Sequence, residues 1–339
     1  MIVNFDFPAP DGFPRKIIAQ SPAMLSLMER AKKAAETNVS VLLTGEPGTG
    51  KESVARFIHS QSQRKNAPFV PIQRAATPQD LVLSELFGHV KGAFTGAVKD
   101  KVGLFEEANQ GTVLLEEVGQ MEIGLQSKIL RFMAEGGIRR VGDNKLTNLD
   151  IRFITTTKEN LESLVEQNKF LRDLYFRLAV VILEIPPLRK RPEDIQPIAD
   201  YLLDKYSQKH EKTIVRYETD ALDFMLGHKW PGNVAEMENT IESAIALSST
   251  PRLSLRDFQQ DASGADSLDE CNLEKQIQLA ELKCLKTALS LARGEISRAT
   301  RLVGLKDNRK KFYDLLKKHQ IDPIEYRRSS NFFKHAVRK

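Results

Sequence analysis

Cysteine is nearly missing from this chain of 339 residues. Cys271 and Cys284 cannot build a disulfide framework and have no metal-ligand spacing, so both are expected to pack as small apolar side chains in a reducing compartment. Long hydrophobic runs are also missing. No stretch approaches the roughly eighteen apolar residues that span a bilayer, and the N-terminus lacks the continuous apolar segment of a secretory signal. A cytoplasmic protein without a membrane span is the expectation. What is present, 41% hydrophobic residues over this length, suffices for one α/β core with smaller helical units beside it.

Net positive charge is missing from most of the chain. From Arg293 to Lys339 there are 14 Lys/Arg against 5 Asp/Glu, a surplus of nine, whereas the whole chain carries only +5. The first 292 residues are therefore net acidic, and the basicity belongs to the C-terminal end.

Three segments carry chemistry. Gly92-Ala93-Phe94-Thr95-Gly96-Ala97 makes a poor helix, strand or core, but a good mobile loop tip that would carry Phe94 outward with Thr95 beside it. Upstream, Val41-Leu42-Leu43-Thr44 reads as a buried strand, then Gly45-Glu46-Pro47-Gly48-Thr49-Gly50-Lys51, then a helix from Glu52 to about Ser60. Strand, glycine loop and helix together form a phosphate loop. The glycines let backbone N–H groups converge on one anion, the helix N-terminus adds partial positive charge, and Lys51 reaches the terminal phosphates. Glu52 stands where a Mg²⁺-binding hydroxyl is usual, leaving that role to Ser53 or water. Downstream, Gly111 to Leu115 is an apolar strand that ends in Glu116 and Glu117, where a second strand would deliver metal-binding and water-polarising carboxylates.

These segments, with Ser84-Glu85-Leu86-Phe87-Gly88-His89, Ile185-Pro186-Pro187-Leu188-Arg189-Lys190-Arg191 and Trp230-Pro231-Gly232-Asn233, resemble the AAA+ domain of bacterial enhancer-binding proteins, activators of sigma-54 RNA polymerase. The resemblance runs from about Ile18 to Asp257 and continues at the C-terminus. It implies that Gly45, Glu46, Gly48, Thr49, Gly50, Lys51 and Glu52 bind ATP, Glu116 binds Mg²⁺ and Glu117 polarises the attacking water. It further implies that Gln73 couples the site to the loop, Phe94 and Thr95 touch sigma-54, and Arg177 is a finger reaching a neighbouring subunit of a ring-shaped hexamer. Several positions depart from the family pattern. Glu116 replaces an Asp, Gln73 an Asn, Lys158 a γ-phosphate sensor, Leu171 a first finger arginine next to Arg172, and Ala235 the lid arginine that meets nucleotide. Finger and lid arginines supply about 10³–10⁵ in rate, so these departures open a second reading with slow hydrolysis.

In the basic end, residues 259–267 have linker composition, and Leu273, Ile277, Ala280, Cys284 and Ala288 follow on one helical face. Glu295 to Val303 reads as a short helix, Gly304-Leu305 as a turn, and Asp307 to His319 as a second helix capped by its own Asp. The pair describes a helix-turn-helix and resembles the Fis-type domain of the same family. Asn308, Arg309 and Tyr313 would face base edges, while Lys306, Lys310 and Lys317 would meet phosphates. The preceding apolar helix is either a dimerisation element or only the core of this domain.

The expected fold is thus an α/β P-loop AAA+ ATPase with a helical lid, plus a small all-α helix-turn-helix domain. The boundaries are an N-terminal stub at 1–17, the α/β subdomain at 18–191, the lid at 192–257, a linker at 258–271, the DNA-binding domain at 272–321 and a basic tail at 322–339. Double-stranded DNA, sigma-54 holoenzyme and further copies of the chain or a homologue are the expected partners. A sensory domain is not visible before the ATPase, so control is expected from a trans-acting regulator, expression level or a co-assembled homologue.

Overall fold

The computed structural model describes residues 3–7, 15–73, 79–212 and 216–259, then 281, 284–285, 287–289, 291–292, 295–305, 308–319, 321 and 323. The chain divides into two compact units, Met1–Phe258 and Gln259–Lys339.

The first unit opens with an antiparallel hairpin in which β1 (Val3–Phe7) pairs with β2 (Arg15–Ala19). Phe5 meets Phe57 edge-on at 5.3 Å, so residues expected as a stub contribute a strand to this unit. The helix α1 (Pro22–Ala35) starts where Ser21 accepts the Met24 N–H and Pro22 presets the first turn.

The elements that follow alternate strand and helix: β3 (Val41–Thr44), α2 (Lys51–Ser60), β4 (Phe69–Ile72), α3 (Gln79–Phe87), α4 (Leu104–Glu107), β5 (Thr112–Leu115) and α5 (Ile123–Glu135). A short hairpin of β6 (Gly137–Ile138) and β7 (Thr147–Asn148) precedes β8 (Arg152–Thr157), α6 (Leu161–Glu166), α7 (Arg172–Leu178) and β9 (Val181–Glu184). Five strands pair in parallel in the order β4-β5-β8-β3-β9, with Val41 opposite both Ile154 and Val181.

Every residue of β5 and β8 is buried, as a parallel sheet covered on both faces requires. The two-residue period of a strand sends Val41 and Leu43 into one core with Met28, Ala31 and Ile58, and Leu42 into a second core with Phe105, Phe132 and Leu174. All five strands point their carboxyl ends to one edge, where an open parallel sheet places its ligands.

The lid follows a turn at Pro192–Asp194: α8 (Ile195–Lys209), β10 (Arg216–Tyr217), α9 (Thr219–Gly227), α10 (Asn233–Leu247), β11 (Arg252–Leu253) and α11 (Leu255–Gln259). Its core surrounds Trp230, whose indole N–H donates to the Met225 carbonyl. Phe258, the first residue of the expected linker, is buried in this core. Ile18 joins the lid core while its neighbour Ile17 joins the sheet core, so β2 forms a wall shared by both.

In the second unit, α12 (Ile296–Leu302) and α13 (Arg309–Lys318) are joined through Gly304 at φ +80°. Leu285, Ala288, Leu289, Ile296, Phe312 and Leu316 share one small core. Two expectations need correction. Cys284 is exposed, because the buried face turns on Leu285 and Leu289, whose larger side chains bury more apolar area. The cap of α13 is Asn308, whose side-chain oxygen accepts the Lys311 N–H. Asp307, Lys306, Cys271, Leu273, Ile277, Ala280 and residues 324–339 lie outside the described residues.

Candidate nucleotide site and its lid

The phosphate loop lies where β3 runs into α2. Gly45, Gly48 and Gly50 have φ of +154°, +75° and +99°, and a Cβ on Gly48 would stand 2.1 Å from the Gly232 carbonyl oxygen. Gly48 is therefore fixed by contact with the lid. Beside Gly50 there is open space, and no side chain caps α2, so its first N–H groups are available to an anion. The Lys51 ammonium donates to the Gly45 carbonyl at 2.8 Å and lies 3.3 Å from Glu117 Oε1.

The two carboxylates occupy different environments. Glu117 has left-handed backbone at φ +49°, and its Oε2 accepts the Lys158 N–H at 3.1 Å. Glu116 accepts a long 3.4 Å bond from Gln73. Burial raises the Glu116 carboxyl above its ordinary range, and the bond from Gln73 partly opposes that. Glu52, expected among the nucleotide-binding residues, directs its carboxylate to Arg56 at 2.7 Å.

The lid closes on the loop through contacts that the sequence reading did not assign. Asn233, fully buried at φ +57°, accepts the Leu188 N–H at 2.8 Å and donates to the Pro47 carbonyl at 2.9 Å and Glu46 at 3.3 Å. Arg189 holds Glu46 through two bonds of 2.7 and 2.5 Å, and these, with Asn233, lower the Glu46 carboxyl to about 2. The N–H groups of Val234 and Ala235 both point at the Gly48 carbonyl. Buried Arg191 donates to the Thr49 carbonyl at 3.1 Å and lies 3.8 Å from Asp194, which accepts the Gln20 and Ser21 N–H groups. The motifs at Ile185–Arg191 and Trp230–Asn233 were the available signal for these residues, but nothing local in them says what they touch.

Between β2, the start of α2 and the lid lies a cavity of about 140 Å³ lined by Ile17, Ile18, Gly50, Val54, Leu202 and Val234, among others. An apolar slot beside a phosphate-binding loop suits a flat heteroaromatic base. A second cavity of about 510 Å³, beside Gly45 and Glu46, is lined in part by Lys158 and Arg189. The donors fit a nucleoside triphosphate, and two adjacent carboxylates fit Mg²⁺, which commonly takes one or two carboxylates plus substrate phosphates.

The Gly92 to Ala97 segment is an insertion between α3 and α4. Gly92 N–H donates to the Ala97 carbonyl at 2.8 Å and Ala97 N–H to the Phe94 carbonyl at 3.0 Å, closing a tight turn. Thr95 is exposed, but the expected outward projection of Phe94 is corrected here. Its ring is half-buried and packs edge-on to His89 at 5.0 Å. Arg177 is exposed on α7, with Nη1 3.4 Å from the Met133 carbonyl. Leu171 is the cap residue of α7, its N–H donating to Gln126. In the second unit Arg309, Lys310, Tyr313 and Lys317 are all exposed on α13.

A parallel sheet with a glycine loop at one strand end, paired carboxylates at the next strand but one and a helical lid packed on the loop defines a P-loop AAA+ ATPase. Residues 17–184 match the sigma-54 interaction domain, and residues 189–272 match an AAA+ ATPase lid domain. The chain is similar to transcriptional regulatory protein GlrR of Escherichia coli (strain K12), with 39% identity over 311 residues, 92% of this chain and 69% of that protein. It is also similar to regulatory protein AtoC of the same organism, with 37% identity over 318 residues, 91% of this chain and 68% of that one. Among solved structures, NtrX from Brucella abortus in complex with ATP superposes with a TM-score of 0.67 at 31% identity, covering 89% of this chain and 68% of that one. The chain belongs to the family of sigma-54-dependent AAA+ transcriptional regulators and has its ATP-binding fold. Among the described residues, no helix is long and apolar enough to cross a membrane.

Proposed function

We propose that this protein is a DNA-bound motor that hydrolyses ATP in a ring of subunits and uses the Phe94-Thr95 tip to engage and remodel sigma-54 RNA polymerase holoenzyme. The observation that carries the reading is the 3.3 Å approach of Lys51 to Glu117. In this reading the cation for the terminal phosphates stands beside the carboxylate for the attacking water, at the mouth of the loop. Phosphoryl transfer asks little more of a protein than positioning and charge stabilisation.

Lys51 and the N–H groups of α2 hold the phosphates, Glu116 holds the metal and Glu117 orients water and accepts its proton. Mg²⁺, when bound, neutralises charge on the β- and γ-phosphate oxygens. Arg177, exposed and far along α7, serves a neighbouring subunit's site and so makes hydrolysis depend on assembly. In the second unit Arg309 and Tyr313 read base edges while Lys310 and Lys317 meet phosphates. Asn308 spends its oxygen on capping α13, which leaves only its amide N–H groups for a base. A trans-acting regulator or a homologous partner subunit would set when the ring works.

One observation favours a second reading, an ATP-binding regulator that hydrolyses little. Ala235 offers its backbone N–H to Gly48 but no cation to nucleotide. Steady-state hydrolysis across a protein concentration series, with Glu117→Gln as control, separates the two. A rate per subunit that rises with concentration and falls about 10²–10⁴-fold in the variant supports the motor. Background turnover despite measurable ATP binding supports the second reading.

A further inference from the structure

We propose that Gln126 is a positioning residue for the arginine that reaches a neighbouring subunit: its buried amide fixes where α7 begins and so sets the place of Arg177. The use of Arg177 as a finger rests on the reading above; the hydrogen bonds that hold its helix do not.

Gln126 lies near the start of α5 and is fully buried. A buried amide is costly unless its donors and its acceptor are met, and here both are. Nε2 donates to the Met121 carbonyl at 2.7 Å and to the Lys169 carbonyl at 3.0 Å, and Oε1 accepts the Leu171 N–H at 2.8 Å. Two carbonyls and one N–H also fix which way the amide faces. The bonds to Lys169 and Leu171 hold the segment that leads into α7. Leu171 is the cap residue of that helix and its own side chain makes no capping bond, so the Gln126 amide decides where the helix starts. Leu174 and Leu178 bury one face of α7 in the sheet core, but apolar packing is non-directional and leaves the position along the axis to the hydrogen bonds. Exposed Arg177 follows about 9 Å further along, at 1.5 Å per residue.

The remaining bond ties the same amide to Met121, which closes the short turn Val118–Gln120 that Glu117 begins. That turn has anchors of its own. Glu117 N–H donates to Thr156 Oγ1 at 3.2 Å, its Oε2 accepts the Lys158 N–H, and Gln120 N–H returns to the Glu117 carbonyl at 3.0 Å. Loss of the Gln126 amide therefore leaves the subunit's own carboxylate in place and frees the start of α7. Further along α5, about two turns beyond Gln126, the Met133 carbonyl lies 3.4 Å from Arg177 Nη1. Thus α5 meets α7 both at its start and at its arginine, and the short, buried bonds are those at the start. A finger arginine supplies about 10³–10⁵ in rate, and a misplacement of about 1 Å costs about 10²-fold. The amide therefore acts in trans: its loss spares the site of the subunit that carries the change and weakens the site next to it.

Mixed oligomers of the full-length protein separate the two sites. Arg177→Ala keeps its own site but brings no finger, and Glu117→Gln brings a finger but cannot hydrolyse. Each alone turns over slowly, and a mixture recovers hydrolysis where the finger of the second completes the site of the first. Gln126→Met, which keeps the length of the side chain and removes its three hydrogen bonds, is expected to cut the recovered rate about 10- to 10²-fold when added to the Glu117→Gln subunit, and by less than about twofold when added to the Arg177→Ala subunit. Gln126→Asn, with its amide one methylene short, is expected to show the same asymmetry, and ATP binding by each double variant checks its fold. Equal loss in both placements with ATP binding intact, or no loss in the Glu117→Gln subunit, overturns the proposal. No recovery in the parent mixture removes Arg177 as a finger and the proposal with it, whereas recovery that is indifferent to Gln126 removes the proposal alone.

Discussion

Asn233, at the first position of the lid helix, donates its side-chain amide to the carbonyl of Pro47 in the phosphate loop at 2.9 Å, across 186 positions of sequence. The same side chain accepts the Leu188 N–H and bonds Glu46, so one buried residue joins the loop, the strand-to-lid connection and the lid. The lid therefore meets the loop through backbone and amide contacts.

Asn233→Ala is expected to destabilise the protein by about 2–4 kcal/mol, because it orphans the Leu188 N–H and the Pro47 carbonyl and leaves alanine in left-handed backbone. Urea unfolding measures this. Asn233→Gly relieves the backbone component and should lose less. An equal loss in both would show that the hydrogen bonds carry the whole effect.

Glu46 gives a pH dependence of known sign. Its carboxyl lies at about 2 in the folded chain against an ordinary 4.5, chiefly through the bonds from Arg189 and Asn233. A carboxylate with a depressed folded pKa contributes stability that is fully present above the ordinary value and is lost as pH falls from 4.5 towards 2. Arg189→Met removes the largest cause. The difference in thermal midpoint between wild type and Arg189→Met should therefore be largest near neutrality and shrink below about pH 4.5. Solvent exposure of both partners keeps the effect small. A difference that stays constant through that window would mean Arg189 acts by packing alone.

Two of the five sheet strands were legible in the sequence because they are short apolar runs with chemistry at their ends. Val41–Thr44 stands as read, and the run read from Gly111 to Leu115 forms a strand from Thr112, since no helix or turn signal competes within them. What resisted reading depends on contacts between distant residues. Nothing in Glu46 or Arg189 announces that they pair across 143 positions. The Gly92 to Ala97 composition spoke correctly for a turn, yet the resting place of Phe94 depends on a histidine whose orientation is set by Ser84 on another helix. Arg152 is a harder case. An arginine would be placed outside, but it is buried at the start of β8, donating to the Ala34 and Ala35 carbonyls that end α1, with burial lowering it to about 10. A helix C-terminus supplies the negative potential that makes this tolerable, and no local pattern shows it.

Arg309 and Lys310 head α13, and their different expected roles separate in one binding experiment. Lys310→Ala should weaken binding alike on every duplex and reduce the slope of log K against log salt by about 0.9. Arg309→Ala should cost about 1–3 kcal/mol on the preferred site and relax sequence preference there. Fluorescence anisotropy on matched and scrambled duplexes over a salt series measures both. Equal losses on both duplexes for both variants would leave α13 as a phosphate-binding helix only.

Ala235 supports the last prediction, because its Cβ stands 3.0 Å from where a Gly48 Cβ would be, directly against the phosphate loop. A longer side chain rooted there starts against the phosphate loop, beside the Gly48 carbonyl that already accepts the Ala235 N–H. Ala235→Arg should therefore add a cation where charge builds during phosphoryl transfer and raise kcat by about 10–10³-fold, with a smaller change in the affinity for ATP. Lys158→Asn is the complementary change. The Lys158 backbone already holds Glu117, while its side chain lines the cavity beside Gly45 and Glu46. Removing that second ammonium should weaken ATP binding and spare the Glu117 contact. Single-turnover hydrolysis and equilibrium ATP binding on the two variants and their combination separate rate from affinity. A raised kcat in Ala235→Arg alone would show that the missing lid charge limits the motor. An unchanged kcat with intact ATP binding would show instead that the lid works in this chain through Asn233 and the loop backbone.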